Sequence, residues 1–160
     1  DMLSDLSVGM FYNNTTRILP PLVGAVRSLL MEYKILLKGS NVVVVGSGRL
    51  VGKPLLLYLL REGATVTVVN RSTKDISFFT KKADIVISGA GSPGIIKGDM
   101  IKKGAVIIDA GSSSHTGSVK GDVHRISVEK KASLLSPVPG GVGPLTVCYL
   151  MHNLLSLYEH

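Results

Sequence analysis

The chain has 160 residues, of which 45% are hydrophobic and 18% are charged, and its formal net charge is +7. This length and composition are typical of one globular domain with a substantial core, and they exclude a disordered chain. No apolar run approaches the roughly 20 residues of a membrane span, and the N-terminus has no signal-peptide pattern, so we expect a cytoplasmic protein.

The first part of the chain divides into two segments. Residues 1–19 show no clear periodicity, and we interpret them as a lead-in from a domain further upstream. A helix is predicted over residues 20–33, because Pro20 suits a first helical turn and apolar side chains recur on one face. We place the folded domain at residues 20–160.

The rest of the chain alternates between short β-branched runs and helical patterns. The continuous run Asn41–Val45 is typical of a strand buried on both faces of a parallel sheet. Further strands are predicted over residues 64–69, 84–88, 105–109 and 132–135. Helices are predicted over residues 50–61, 75–82, 97–104 and 147–158. This order predicts an α/β fold with right-handed βαβ units, that is, a Rossmann-like, doubly wound parallel sheet.

The first predicted strand ends in a glycine-rich turn. Gly46-Ser47-Gly48 follows the strand, and Gly52 comes four residues after Gly48. Such glycines suit a tight turn, the close approach of a pyrophosphate, and close packing of helix on strand. The turn therefore predicts dinucleotide binding, and a purely structural βα turn is the alternative.

The second predicted strand ends in Asn70-Arg71-Ser72. NAD-selective folds usually place a carboxylate here to bind the ribose 2′-hydroxyl, and this chain has none. Arg71 offers a planar set of donors and Ser72 a hydroxyl, which together suit a 2′-phosphate. The segment predicts NADP rather than NAD, and a solvated loop arginine is the alternative.

Small or acidic residues follow the other two long strands. Residues 89–94, which include Ala90 and Gly91, leave room for the ribose and nicotinamide of a cofactor, and a plain turn is the alternative. Asp109 is predicted to cap the end of its strand, and a ligand contact is the alternative. We interpret Gly121-Asp122-Val123 as part of a surface loop.

The segment Ser136–Thr146 contains three prolines and three glycines in eleven residues. Proline removes a backbone donor and glycine lacks a side chain, so this segment is predicted to be rigid, irregular and open to a flat ligand. It directly precedes the apolar residues of the last predicted helix.

Several of these strings resemble the C-terminal, cofactor-binding domain of the bifunctional methylenetetrahydrofolate dehydrogenase/methenyltetrahydrofolate cyclohydrolase family. The resemblance rests on residues 51–54, 64–68, 83–85, 121–123 and 137–146. Leu145 stands where the family has methionine. Ser47 stands where the family often has arginine, and members without that arginine can carry one at the position of Arg71.

The resemblance implies a tetrahydrofolate substrate, NADP as cofactor and a homodimer. The implied oxidoreductase step moves a hydride from 5,10-methylenetetrahydrofolate to NADP, and a hydrolase step converts the methenyl product to 10-formyltetrahydrofolate. With the motifs above, the predicted cofactor-binding residues are Gly46, Ser47, Gly48, Asn70, Arg71, Ser72, Ala90, Gly91, Ser112 and Thr146. The predicted substrate contacts are Pro139, Gly140 and Gly143, and Asp1 aligns with a substrate-orienting aspartate.

The family's catalytic lysine lies in a Tyr-x-x-x-Lys motif of an N-terminal domain, and Tyr33-Lys34 is not that motif. We therefore expect this chain alone to bind cofactor and to catalyse little. The alternative function is a stand-alone NADP-binding module for regulation or assembly.

A nucleic-acid-binding domain is a third hypothesis, which the net charge of +7 raises. Lysine and arginine never occur more than two in a row, and five tyrosines and three phenylalanines are the only aromatic residues. We expect no nucleic-acid or membrane partner. The four histidines lack ligand spacing, so no metal site is predicted. The single Cys148 is expected to be a buried hydrophobic residue in a reducing compartment.

Overall fold

A computed structural model describes residues 2–115 and 118–158 of the chain. Asp1, the predicted substrate-orienting residue, lies outside the described residues. The helices are α1 (Asp5–Tyr12), α2 (Pro21–Glu32), α3 (Gly52–Arg61), α4 (Ile76–Thr80), α5 (Arg125–Glu129) and α6 (Val142–Tyr158), with a 3₁₀ turn at Gly98–Met100. The strands are β1 (Asn41–Val45), β2 (Thr65–Val69), β3 (Ile85–Ser88), β4 (Val106–Asp109), β5 (Ser113–His115), β6 (Ser118–Lys120) and β7 (Leu134–Ser136).

Five strands form one parallel sheet in the order β2-β1-β3-β4-β7, and β5 pairs with β6 in a separate antiparallel ribbon. The predicted parallel α/β sheet is confirmed. The chain leaves β1 toward one side to form β2 and returns to the other side to form β3. This reversal is a topological switch point, where open α/β sheets bind ligands beyond the carboxyl ends of their strands.

The sheet is buried on both faces, which explains its unbroken β-branched strands. Successive side chains of β1 point to opposite faces, so Val42 and Val44 join one apolar cluster while Val43 and Val45 join the other. Helices α2 and α3 contribute to the first cluster. The second cluster is completed by the segments around α4, the 3₁₀ turn and α5.

Helix α1 lies within residues 1–19, for which the sequence showed no period. Ser4 caps it by accepting a hydrogen bond from the backbone N–H of Ser7 at 3.2 Å. Its one buried residue is Phe11, whose ring lies under the Arg61 guanidinium at 4.5 Å. Because only one side chain of α1 is buried, the helix has no apolar face, and hydrophobic periodicity could not predict it.

Helix α6 begins five residues earlier than predicted, at Val142 rather than at residue 147. Gly143 and Pro144 lie in its first turn, where backbone N–H groups have no intrahelical partner and proline is tolerated. Cys148 is exposed, so the prediction that it is buried was wrong. The helix is apolar on most sides but packs against α2 along one narrow stripe, which leaves Cys148 outside.

That stripe is a close contact between α2 and α6. The ring of Tyr149 lies over Gly24, and its hydroxyl shares a 2.8 Å hydrogen bond with Ser28. The amide of Asn153 donates to the carbonyl of Leu19 at 2.7 Å. No helix among the described residues is long and apolar enough to span a bilayer.

Gly24→Ala should destabilise the fold, because a Cβ built at Gly24 lies 2.3 Å from the Tyr149 ring. Gly9→Ala in α1 is the matched control, since its Cβ meets no atom within 4 Å. Both changes raise the helix propensity by the same amount. The difference between their free energies of unfolding therefore measures the cost of packing the added Cβ at Gly24 against Tyr149. We expect Gly24→Ala to have a free energy of unfolding about 1–3 kcal/mol below that of Gly9→Ala in urea titrations. Equal stabilities would contradict the close α2–α6 packing.

Candidate functional site

A cavity of about 460 Å³ opens at the switch point between β1 and β3, and we call it the switch-point cavity. Its lining comes from the ends of β1, β2 and β3 and from the loops that follow them. The lining residues are Val45, Gly46, Ser47, Gly48, Asn70, Arg71, Ser72, Ile76, Gly89, Ala90, Ser92 and Ile95. Seven of the ten predicted cofactor-binding residues therefore share one cavity.

The glycine turn brings three pieces of backbone together. Gly46 has a φ of +109°, and a Cβ there would lie 2.5 Å from the carbonyl oxygen of Gly89. A Cβ at Gly52 would lie 2.0 Å from the carbonyl oxygen of Gly46, so α3 packs directly on the turn. Gly48 is different, because a Cβ there would meet no atom within 4 Å. The turn is closed on its inner side and leaves space at Gly48.

Asn70 organises the loop after β2. Its side-chain oxygen accepts from the backbone N–H of Ser72 at 3.0 Å, and its own N–H donates to the Thr73 hydroxyl at 3.0 Å. Its amide also reaches the Ser47 hydroxyl at 3.4 Å, which ties this loop to the glycine turn. These contacts hold Arg71 at the rim of the cavity.

Arg71 is exposed, and within the described residues it forms no salt bridge. Among the described residues, no aspartate or glutamate lines the switch-point cavity. The arrangement therefore offers a free guanidinium and two hydroxyls, those of Ser47 and Ser72, to an anionic ligand.

Two carboxylates lie buried just behind the cavity. Asp109 caps β4, as predicted, by accepting from the backbone N–H groups of Gly111 at 2.9 Å, Asp122 at 3.1 Å and Val123 at 3.0 Å. Burial raises the pKa of Asp109, and these three hydrogen bonds partly oppose the rise.

Asp122 is 0% exposed, so the interpretation of Gly121-Asp122-Val123 as part of a surface loop was wrong. Its carboxylate faces the end of β3, where four donors surround it. A buried carboxylate needs such partners, and no local sequence pattern indicates which residues supply them.

A second cavity, of about 540 Å³, is mainly apolar and lies between α1, α3 and α6; we call it the α1–α6 cavity. Ser112 and Thr146, two predicted cofactor-binding residues, line it. Arg49 also lines it and donates a hydrogen bond to the carbonyl of Leu3, which lies in the lead-in. The Thr146 hydroxyl donates to the carbonyl of Val142 at 2.8 Å, within the helix.

The remaining predicted site residues do not join these cavities. Within the described residues, the two linings omit Gly91, Pro139, Gly140 and Gly143. Sequence reasoning in turn missed three lining residues of the switch-point cavity, Val45, Ile76 and Ile95, because apolar residues carry no signal for a ligand. The described residues hold no cluster of three potential metal ligands.

Comparisons with known proteins agree with this geometry. Residues 20–160 match the family model described as tetrahydrofolate dehydrogenase/cyclohydrolase, NAD(P)-binding domain. Bifunctional protein FolD of Hydrogenobaculum sp. (strain Y04AAS1) is 52% identical over 134 residues, which are 84% of this chain and 48% of that protein. Bifunctional protein FolD of Helicobacter pylori (strain J99) is 42% identical over 160 residues, covering 99% of this chain and 55% of that protein.

Solved structures give the same result. The FolD enzyme of Trypanosoma brucei, complexed with NADP cofactor and inhibitor, has a TM-score of 0.93 and 38% identity, covering 99% of this chain and 57% of that one. The FolD enzyme of Campylobacter jejuni has a TM-score of 0.90 and 38% identity, covering 96% and 55%. The chain spans about half the length of the curated relatives it matches.

Asp109→Asn should change how the free energy of unfolding depends on pH. The folded-state pKa of Asp109 lies above the ordinary value of 3.8, so the folded chain binds this proton more tightly than the unfolded chain. The contribution of Asp109 to stability therefore falls as pH rises through the raised pKa. We expect the native stability minus that of Asp109→Asn to decrease in urea titrations as pH rises above the ordinary value of 3.8 and through the raised pKa.

Asp84→Asn is the control of opposite sign. A hydrogen bond from Lys102 and another from the Asn41 N–H lower the pKa of Asp84. Its contribution is present above pH 3.8 and is lost as pH falls through the lowered pKa. A stability difference for Asp109→Asn that stays flat or rises with pH would contradict the raised pKa.

Proposed function

The chain belongs to the tetrahydrofolate dehydrogenase/cyclohydrolase family as its NAD(P)-binding domain, and from that premise we propose that the switch-point cavity binds NADP. One observation carries the proposal: a glycine turn with open space at Gly48 faces a loop that presents Arg71 and no carboxylate. A dinucleotide needs both features, because its pyrophosphate must approach the backbone and its ribose must be recognised.

We assign the adenosine half of the cofactor to the β1 and β2 loops. The turn at Gly48 would receive the pyrophosphate, because a ligand can approach the backbone closely where a Cβ would meet no described atom within 4 Å. The 2′-phosphate meets Arg71, with the hydroxyls of Ser47 and Ser72 as further donors. Ile76 and Ile95 line the same cavity and supply an apolar surface for the adenine ring.

The nicotinamide half points from Ala90 and Gly91 toward Ser112 and Thr146 in the α1–α6 cavity. The lining of this cavity is mostly apolar and would surround the ring with nonpolar side chains. The proposed substrate is a tetrahydrofolate derivative that binds on the side of Pro139, Gly140 and Gly143, with Asp1 as a further contact.

For the whole protein we propose a two-step reaction. The cofactor held by these residues would supply the hydride acceptor for the methylene carbon of 5,10-methylenetetrahydrofolate, and water would then convert the methenyl product to 10-formyltetrahydrofolate. The residues of this chain bind the cofactor and orient it, which lowers the entropic cost of bringing two reactants together. We assign general acid–base catalysis to a lysine in the half of the relatives' length that this chain does not cover, and residues 1–19 to the connection with that half.

Two further properties are proposed on the family resemblance alone, a homodimer and a cytoplasmic location.

A second candidate function is an NADP-binding module without catalysis. The enzyme and the binding module require the same cofactor site, and a measurement of turnover distinguishes them.

Arg71→Glu tests the cofactor assignment. Reversing this charge removes the guanidinium from the 2′-phosphate and adds repulsion, so NADP affinity should fall about 10-fold or more, a loss of about 1.4 kcal/mol. NAD has no 2′-phosphate, and its affinity should change far less. Calorimetric titration of both dinucleotides measures the difference.

Lys38→Glu is the matched charge reversal, because Lys38 is exposed and precedes β1 at the opposite edge of the sheet. It should leave both affinities within about twofold of the native values. Equal losses of NADP and NAD affinity in Arg71→Glu would show that Arg71 does not recognise the 2′-phosphate. If the native chain bound neither dinucleotide, the proposed function itself would fail.

Turnover is tested by mixing the chain with NADP and 5,10-methylenetetrahydrofolate and following NADPH absorbance. We expect no turnover from the chain alone and measurable turnover after addition of a recombinant N-terminal domain from the Helicobacter pylori relative. A chain that produced NADPH alone would contradict the assignment of acid–base catalysis to the other half. NADP binding with no turnover in either mixture would favour the module.

A further inference from the structure

The proposed function leaves one buried group unexplained, the carboxylate of Asp122. One of its oxygens, Oδ2, accepts from the Ser88 hydroxyl at 2.8 Å, the Ala90 N–H at 2.7 Å and the Gly91 N–H at 3.3 Å. The other, Oδ1, accepts from the Ser92 N–H at 2.7 Å. Within the described residues no lysine, arginine or histidine forms a salt bridge with it. Its charge is therefore balanced by hydrogen-bond donors alone.

The donors all come from the end of β3 and the loop that follows it. Three consecutive N–H groups, at residues 90–92, converge on one carboxylate and form a concave anion site made of backbone. Gly91 makes this turn possible with a φ of +64°. Hydrogen bonds to an ionised acceptor are stronger than neutral ones, so the shape of this loop depends on the carboxylate.

The backbone around Asp122 holds the far end of the same loop. The Asp122 carbonyl accepts from the Ile96 N–H at 3.1 Å, and the Ile96 carbonyl accepts from the His124 N–H at 2.8 Å. The loop is therefore attached at both ends to one short segment. The first attachment ends at Ser92, and Ile95 lies between the two attachments; both residues line the switch-point cavity.

Asp122 is itself fixed in place by a second carboxylate and two glycines. Asp109 accepts from the backbone N–H of Asp122, as described above. A Cβ at Gly111 would lie 2.3 Å from the carboxyl carbon of Asp122, and a Cβ at Gly121 would lie 2.1 Å from Asp109 Oδ2. Each carboxylate occupies space that only a glycine leaves free.

The loop held by Asp122 also supports the glycine turn. The Gly89 carbonyl oxygen is the atom nearest to a Cβ built at Gly46, at 2.5 Å. A shift of the loop would therefore move the floor of the cavity on the β1 side as well as its β3 wall. The cavity depends on the position of this loop at two places.

We propose that Asp122 is a positioning residue for the cofactor: its buried carboxylate occupies the backbone anion site at residues 90–92 and holds the β3 loop in the shape that receives the dinucleotide. This inference rests on the proposed function of the switch-point cavity. It assigns a role in ligand binding to a group that touches no ligand and that the sequence analysis placed in a surface loop.

Asp122→Asn is the first test. Asparagine has one acceptor oxygen, and its NH₂ group would face the N–H donors of the loop, so the four hydrogen bonds cannot all form. We expect NADP and NAD affinity to fall by the same factor, about 10-fold or more, because both dinucleotides share the part that this loop contacts. Amide hydrogen exchange should accelerate at residues 89–92 while β1 and β4 stay protected.

Asp84→Asn is the matched control, since Asp84 also accepts a backbone N–H but lies at the opposite end of β3. It should leave both affinities within about twofold of native and the exchange of residues 89–92 unchanged. A folded Asp122→Asn chain with native affinity would overturn the proposal. So would faster exchange spread evenly over the sheet, because that pattern indicates general destabilisation. If the native chain bound neither dinucleotide, the proposed function would fail first.

Gly111→Ala tests the same idea without altering the carboxylate, because its Cβ displaces Asp122. It should reproduce the affinity loss of Asp122→Asn, while Gly9→Ala, which meets no neighbour, should have no effect.

Ser88→Ala is the mildest variant, and it tests the proposal if neither Asp122→Asn nor Gly111→Ala folds. Loss of its single hydrogen bond should weaken both cofactors about 2- to 10-fold, and native affinity would overturn the proposal.

Discussion

Direct contact of backbone with backbone at the switch point is the constraint on which the site depends. The turn after β1, the start of α3 and the loop after β3 approach so closely that side chains at Gly46 or Gly52 would overlap carbonyl oxygens. The cavity beside them is therefore shaped by main chain, which is stiffer than a lining of long side chains. A site built this way holds its backbone at fixed positions, so a ligand meets a preformed surface.

The distribution of charge follows from the same geometry. Asp109 and Asp122 lie behind the cavity wall and direct their oxygens at backbone donors, so they contribute no acidic group to the lining. Arg71 stays exposed at the rim, where no described carboxylate pairs with it. The site separates its charges: the anions hold the protein backbone, and the cation remains available for the ligand.

The packing of α2 against α6 depends on side-chain contacts rather than on contacts between backbones. A tyrosine ring packed on a glycine, one shared hydroxyl bond and one buried asparagine hold the two helices together. This narrow contact explains why an apolar helix leaves Cys148 and several leucines exposed. Apolar composition alone indicated burial, whereas the actual burial depends on how many neighbours the helix has.

The sequence by itself determined the parallel sheet, the ends of its strands and most of the switch-point cavity. These features follow from local signals: β-branched runs form buried strands, glycines follow them, and parallel strands place those ends at one edge. Only the tertiary structure decided the strand order, the start of α6 and the burial of Asp122. The burial of Asp122 depends on groups distant in the chain, the donors at residues 88–92 that surround its carboxylate. The string Gly-Asp-Val reads the same whether its carboxylate is solvated or lies buried among hydrogen-bond donors.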